Sequence, residues 1–196
     1  MNSPAFDEAK KHYRNIVLLL NEMGKQIQEI DNKFSLDVSI KQFDLILQTI
    51  MFNQVIADGS FGDEEKEFIE EIVSSADLLE YYNVCSRKNT TFQTLTWDVL
   101  QTFNKKALKI ALDSINEIME PIEDELTYFL AIVDSKTDKD EFGLFLKEIT
   151  LLLSCLNIID DEITEDEKVA TVSNLMKHFV RRYQYYLISF RKGMNV

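Results

Sequence analysis

The chain is poor in residues that interrupt regular structure. Of 196 residues, 5 are Gly and 2 are Pro, too few for the turn every ten positions or so that sandwiches and barrels need. Helix is what remains. Cysteine is scarce: Cys85 and Cys155 stand in different segments, with neither CxxC spacing nor a nearby histidine. Both read as reduced core or surface thiols, which excludes a disulfide framework and a Cys/His zinc site. Only His12 and His178 carry imidazole, and three residues before them stand Ala9 and Leu175. The paired Glu-x-x-His of a di-iron carboxylate bundle is therefore missing. A phosphate-cradling Gly-rich loop, a dinucleotide fingerprint and a Ser or Cys nucleophile motif are missing as well. Carboxylates are left as the one abundant chemistry, and no enzyme is expected.

Long apolar runs are lacking too. "ITLLLSCLNII" is the longest, eleven residues including Thr150, Ser154 and Asn157, well short of the roughly 20 that span a bilayer. The opening "MNSPAFDEAKK" has two acids and no apolar stretch behind a basic flank, unlike a signal peptide. A soluble, cytoplasmic protein with no membrane span is expected.

What the chain does hold is apolar residues at 45% and a formal charge of −13, from 34 acidic and 21 basic residues. The first suffices for a core. The second repels phosphate, so nucleic acid is not an expected partner, and it favours cations or basic proteins. The charge is uneven. All 34 acids precede Ser173, while Lys177, Arg181, Arg182, Arg191 and Lys192 follow it. The last helix either docks on an acidic body or marks a contact surface.

Apolar spacing at three and four predicts about seven helices in one all-α bundle covering residues 1–196. The first covers about Ala5–Asn32, with Ile16, Leu19, Leu20, Met23 and Ile27 recurring. The second covers about Asp37–Ala57 with Phe43, Leu47, Ile50, Met51 and Val55 inside, and Gly59 stops it. A third starts near Asp63 with Phe68, Ile69, Ile72 and Val73. "SRKNTTFQTLT" is the main connection. Thr96 then caps a long helix that Pro121 ends or kinks. A short helix reaches about Val133, and the polar break "DSKTDKD" leads to another over about Glu141–Ile158. The last follows Thr164 through Leu175, Phe179, Tyr183, Leu187 and Phe190. Trp97, Tyr81 and Tyr82 read as core or edge aromatics.

Two of the bends share one pattern. "VIADGSFGDEEKEFIEEIV", Val55 to Val73, holds seven carboxylates directly after an apolar run. Aligned on Asp58 and Asp160, the residues Phe61, Gly62, Asp63, Glu64 and Glu65 match Ile163, Thr164, Glu165, Asp166 and Glu167 in type. Leu47, Ile50 and Met51 fall opposite Ile149, Leu152 and Leu153 at the same offset. An internally duplicated helix-loop-helix unit shows this register. Much of the acid has a local use. Thr164 to Glu167 is a capping box, and Gly62 and Glu65 hold the same places without the side-chain oxygen on Gly62. Acids in a first turn also suit the helix dipole. Asp58 and Asp160 fit less well, because each stands at the C-terminal end of the preceding helix, where that dipole disfavours a carboxylate. Each calls for a positive partner: a bound cation, or a Lys or Arg from the last helix. Capping and solvation of an ordinary acidic loop remain the blander account.

At these residues the chain resembles the tellurite-resistance TerB-like family. That family's signature is an apolar helix ending in Ala-Asp-Gly, a short turn, and a Glu seven residues after the Asp. "IADGSFGDEEKEFI" carries it at Ala57, Asp58, Gly59 and Glu65, and "IIDDEITEDEK" at Asp160, Ile163 and Glu167. Asp161 stands where the family often has Gly, so the second bend loses the residue that enters left-handed backbone freely. The resemblance covers about residues 40–75 and 142–178, leaving out the first helix and about 80–135, and the halves are farther apart than is usual. It implies a helical bundle of two pseudo-symmetric helix-loop-helix units. It also implies a non-catalytic role in stress or tellurite resistance and an acidic cluster for divalent metal. Carried over, the metal positions are Asp58, Glu65, Asp160 and Glu167. Four converging carboxylates would supply oxygens to calcium or magnesium, and without a cation they would repel one another.

"DSKTDKDEFGLF" opens like an EF-hand at Asp134, but Lys136 stands at its third position and Phe145 at its twelfth, where the loop needs a ligand and a bidentate Glu. It fails. The expectation is an acidic TerB-like protein that binds a divalent cation as part of a larger assembly. The alternative is a metal-free module whose acidic corners dock a basic partner.

Overall fold

A computed structural model of the chain describes residues 3–30, 62–72, 124–137, 139–159 and 165–193, with the positions 43–44, 47–48, 50–51 and 54–55 between them. All the regular structure among them is helical, and no strand occurs. We label the continuous helices α1 (Pro4–Ile30), α2 (Asp63–Ile72), α3 (124–137), α4 (Glu141–Leu156) and α5 (Glu165–Arg191). The predicted helix between Thr96 and Pro121, the connection before it, Trp97, Tyr81, Tyr82 and Cys85 lie outside the described residues.

Helix α1 starts where Ser3 caps it, its hydroxyl accepting from the Phe6 amide at 3.3 Å. Pro4 takes the first helical position, where its missing N–H costs nothing. The buried stripe is Phe6, Ala9, Ile16, Leu20, Met23 and Ile27, one face of a 3.6-residue period. Against it lie Phe43, Leu47, Ile50, Met51 and Val55, all buried and all helical. These are the inner positions the sequence predicts for the second helix.

Helix α2 packs on the start of α1 through Phe6 and Phe68, whose rings meet edge to face at 5.4 Å. Beside them Lys10 pairs with Glu71 and lies over the Phe6 ring. Helices α1 and α4 run antiparallel. His12 and Asn15 reach Glu148, while the earlier Glu8 and Lys11 act on the later Cys155. Helix α5 returns along α4 with Tyr183 stacked flat on Phe142 at 3.8 Å, Phe179 against Phe145, and Thr150 against Met176.

Two helix ends differ from expectation. Helix α3 runs past Val133 to residue 137, because Ser135 and Thr137 return their hydroxyls to the carbonyls of Ile132 and Val133. Their polar side chains, which mark a break in the sequence, are spent on the helix's own last turn. Helix α4 stops at Leu156 rather than Ile158, as the Ile158 amide moves to the Cys155 carbonyl at 3.1 Å and tightens the chain into a turn.

Candidate functional site

The 62–72 corner begins as its sequence demands. Glu65 is fully buried and its Oε2 accepts from the Gly62 amide at 2.9 Å. This is the returning half of a capping box, the half that needs no oxygen on the cap residue. Asp63 and Glu64 project into solvent, with Lys66 reaching back to Asp63 at 3.2 Å. The corner is thus split. One carboxylate is consumed inside, and two face out near a helix N-terminus that favours them.

Of the four predicted metal positions, Glu65 alone has a described side chain. Glu167 belongs to α5, and Asp58 and Asp160 lie outside the described residues. Their approaches do meet. Gln54 Nε2 donates to Asn157 Oδ1 at 2.6 Å. Gln54 precedes Asp58 by four residues and Asn157 precedes Asp160 by three. The helical residue Gln54 and the C-cap of α4, both of which lead toward an acidic corner, are therefore in contact. Among the described residues, no group of three or more His, Cys, Asp or Glu side chains is placed to hold a metal ion.

A third bend, between α3 and α4, is described on both sides of residue 138 and shows what an aspartate at a helix end does here. Asp134 is buried in the last turns of α3. Its two oxygens accept from the Glu141 amide at 2.8 Å and the Phe142 amide at 3.1 Å, and Oδ2 also takes the Tyr183 hydroxyl at 2.7 Å. Asp140 takes the Gly143 amide at 3.0 Å, and Leu144 opens the intrahelical ladder on the Asp140 carbonyl. The amides of Glu141, Phe142 and Gly143 thus end on carboxylates, which answers orphan donors of a helix start. Asp134 precedes Glu141 by seven residues, the separation of Asp58 from Glu65 and of Asp160 from Glu167. The sequence reading weighed Asp134 as an EF-hand ligand and missed this clasp. The signal was present: an acid seven residues before a glutamate in the first turn of the next helix, as in both corners, although the helix itself starts five residues after Asp58 and Asp160 and seven after Asp134.

Three other polar clusters join helices. His12 Nδ1 lies 2.8 Å from Glu148 Oε2, Asn15 donates to the same oxygen at 2.9 Å, and His12 Nε2 stands 3.7 Å from Glu8. Burial pulls the Glu148 carboxyl upward, but the bonds from His12 and Asn15 and the charges of His12 and Lys147 outweigh it, so the net shift is downward. Near this cluster, burial first and then Glu8 raise the half-buried Cys155 thiol, the opposite of what a nucleophile needs. On the far side of α5, Tyr186 donates to Asp124 at 2.7 Å and Arg182 Nε pairs with Asp124 at 3.4 Å. The basic last helix thus docks in part on acids of α3. Tyr13 likewise donates to Asp44, and Gln48 bonds the same carboxylate at 2.9 Å.

No described helix is long and apolar enough to cross a membrane. No protein-family model matches the chain, and neither curated proteins nor solved structures give a match.

Proposed function

We propose that the chain is a non-catalytic, acidic TerB-like protein: one helical domain of two pseudo-symmetric hairpins that binds calcium or magnesium between its acidic corners. Asp58, Glu65, Asp160 and Glu167 would supply the oxygens, and the role would be cytoplasmic, in stress or tellurite resistance, within a larger assembly. The observation that carries this reading is the Gln54–Asn157 bond. A pseudo-dyad relating the halves would bring such positions together just ahead of the two aspartates. A four-residue stretch reaches at most about 14 Å, so the corners start from a shared point. The capped, buried Glu65 supports the expected register of the first corner.

The Asp134 clasp favours a second reading. An aspartate just ahead of a helix, as Asp134 is seven residues ahead and Asp58 and Asp160 are five, can find its positive partner in backbone amides rather than in an ion. Asp58 and Asp160 would then close their own corners, leaving Asp63, Glu64 and their counterparts to dock a basic protein without metal.

Titration calorimetry with Ca²⁺, Mg²⁺ and Zn²⁺ on the wild type and on Asp58→Asn/Asp160→Asn separates the two. Saturable heat in the wild type that vanishes in the variant supports the cation site. A silent wild type together with a destabilised variant points to the capping role and the metal-free module.

A further inference from the structure

The last helix leaves a second surface that the acidic corners do not use. Arg182 turns inward to Asp124. The other four cations, Lys177, Arg181, Arg191 and Lys192, are exposed and make no ion pair with a described residue. With Gln184, Tyr185 and Ile188 they fall at intervals of three and four, so they share roughly a third of the helix circumference. Tyr185 and Ile188 are each more than half exposed, at 57% and 52%. Along one edge runs an open groove of about 380 Å³ lined by Ser173, Met176, Lys177, Val180, Arg181 and Gln184. Its apolar floor, Met176 and Val180, lies beside two exposed cations, Lys177 and Arg181, that pair with none of the described residues.

We infer that this face of α5 docks an acidic amphipathic segment of a partner protein, its apolar side chains entering the Met176–Val180 groove and its carboxylates meeting Lys177 and Arg181. Charge complementarity selects the occupant. From Ser173 onward the chain has five basic residues and no acid, whereas all 34 acids lie before it. The positive stripe from Lys177 to Lys192 is short, about 22 Å at the helical rise, which matches a few turns of peptide. A long polyanion would overrun it onto the acidic body, where phosphate is repelled. Tyr185 is the one exposed aromatic on the stripe, too little for a base-stacking platform. The exposed apolar area, Tyr185 and Ile188 beside a half-buried groove, is likewise small for a helix seated in a lipid surface. At physiological salt the Debye length is about 8 Å, so the distant acids are screened while contacts at the stripe persist.

The test uses the full chain and a fluorescent helical peptide of about five turns, with leucine at every third and fourth position and glutamate elsewhere. A control peptide has glutamine in place of each glutamate. Anisotropy should show saturable binding of the glutamate peptide that weakens from about 0.05 M to about 0.5 M salt. Lys177→Glu/Arg181→Glu should lower that affinity about tenfold or more, and the glutamine peptide should bind about tenfold more weakly to the wild type. Lys177→Arg/Arg181→Lys should bind as the wild type does. Both substituted positions are exposed, and unchanged helicity and melting confirm that the fold is kept. Equal binding by the charge-reversed variant, or none by the wild type, overturns the inference. So does tighter capture of a single-stranded oligonucleotide or of anionic vesicles. Self-association abolished by the charge reversal would overturn it in favour of a second copy of the chain.

Discussion

Replacing Asp134 should be among the most costly single changes to this fold. The side chain is buried and holds two first-turn amides of α4 and the Tyr183 hydroxyl of α5. Truncation to alanine removes two capping bonds, each worth about 1 kcal/mol. It also strands a part-buried phenol, for about 1–2 kcal/mol more. The sum is about 3–4 kcal/mol, a large share of the roughly 5–15 kcal/mol that keeps a domain folded. Asp134→Asn keeps one acceptor and turns a donor toward the remaining amide, so about half of that loss is expected. Tyr183→Phe should cost only about 1–1.5 kcal/mol, since its ring keeps the 3.8 Å stack on Phe142. In the Asp134→Ala background the same change should cost almost nothing, because the acceptor has gone. Urea unfolding followed by far-ultraviolet circular dichroism gives all four corners of the cycle. Asp134→Ala within about 0.5 kcal/mol of the wild type, a loss typical of an ordinary surface site, would refute the clasp. An undiminished Tyr183→Phe cost in that background would remove the coupling.

Further outcomes follow from the same geometry. Glu65→Ala should lose about 1–2 kcal/mol in urea unfolding as the Gly62 amide loses its acceptor and a buried side chain is cut away. A Cβ at Gly143 would collide with the Asp140 carboxylate, so Gly143→Ala forfeits a cap worth about 1 kcal/mol while gaining about as much in helix propensity. The single change should be near neutral, and the same change in an Asp140→Ala background should raise the melting temperature. Burial first, and then the bond to Asp124, push the Tyr186 phenol up to about 12, above its unfolded value of about 10. Its contribution is complete below that unfolded value and is lost as pH rises through the folded one. Tyr13 and Tyr183 shift the same way. Alkaline unfolding tracked by tyrosinate absorbance should be steep in the wild type and flatter in Tyr186→Phe. Glu148 is shifted downward, so its contribution is present above the unfolded carboxyl value and lost as pH falls through the folded one. Glu148→Gln should therefore flatten the acid limb of the urea midpoint against pH.

Much of the framework was legible because burial writes itself into period. Phe43, Leu47, Ile50, Met51 and Val55 were expected inside and are buried, as are Phe68, Ile69 and Phe179. The start of α2 at Asp63 and the free Cys155 also agree, and the box geometry of Gly62 and Glu65 could be read from spacing alone. Polar partners across helices could not. Nothing in the local sequence says that Tyr183 meets Asp134 or that His12 meets Glu148, since those bonds join residues 49 and 136 apart. The end of α3 was misjudged for a related reason. Ser and Thr signal a break by composition, yet their hydroxyls can serve the helix they terminate. The candidate cation ligands were chosen by pattern and resemblance, and of their side chains Glu65 alone is among those described.

The phenol-to-carboxylate contacts have a mechanical meaning for a bundle of this kind. Apolar packing resists separation of helices far better than it resists their turning, since one greasy stripe seats almost as well after a few degrees of roll. Tyr13 to Asp44, Tyr183 to Asp134 and Tyr186 to Asp124 act like keys in slots, fixing the azimuth of α1 and α5 against their neighbours. The cations on the outer side of α5 thereby acquire a fixed bearing. A surface aimed in this way can tell one visitor from another before contact is made.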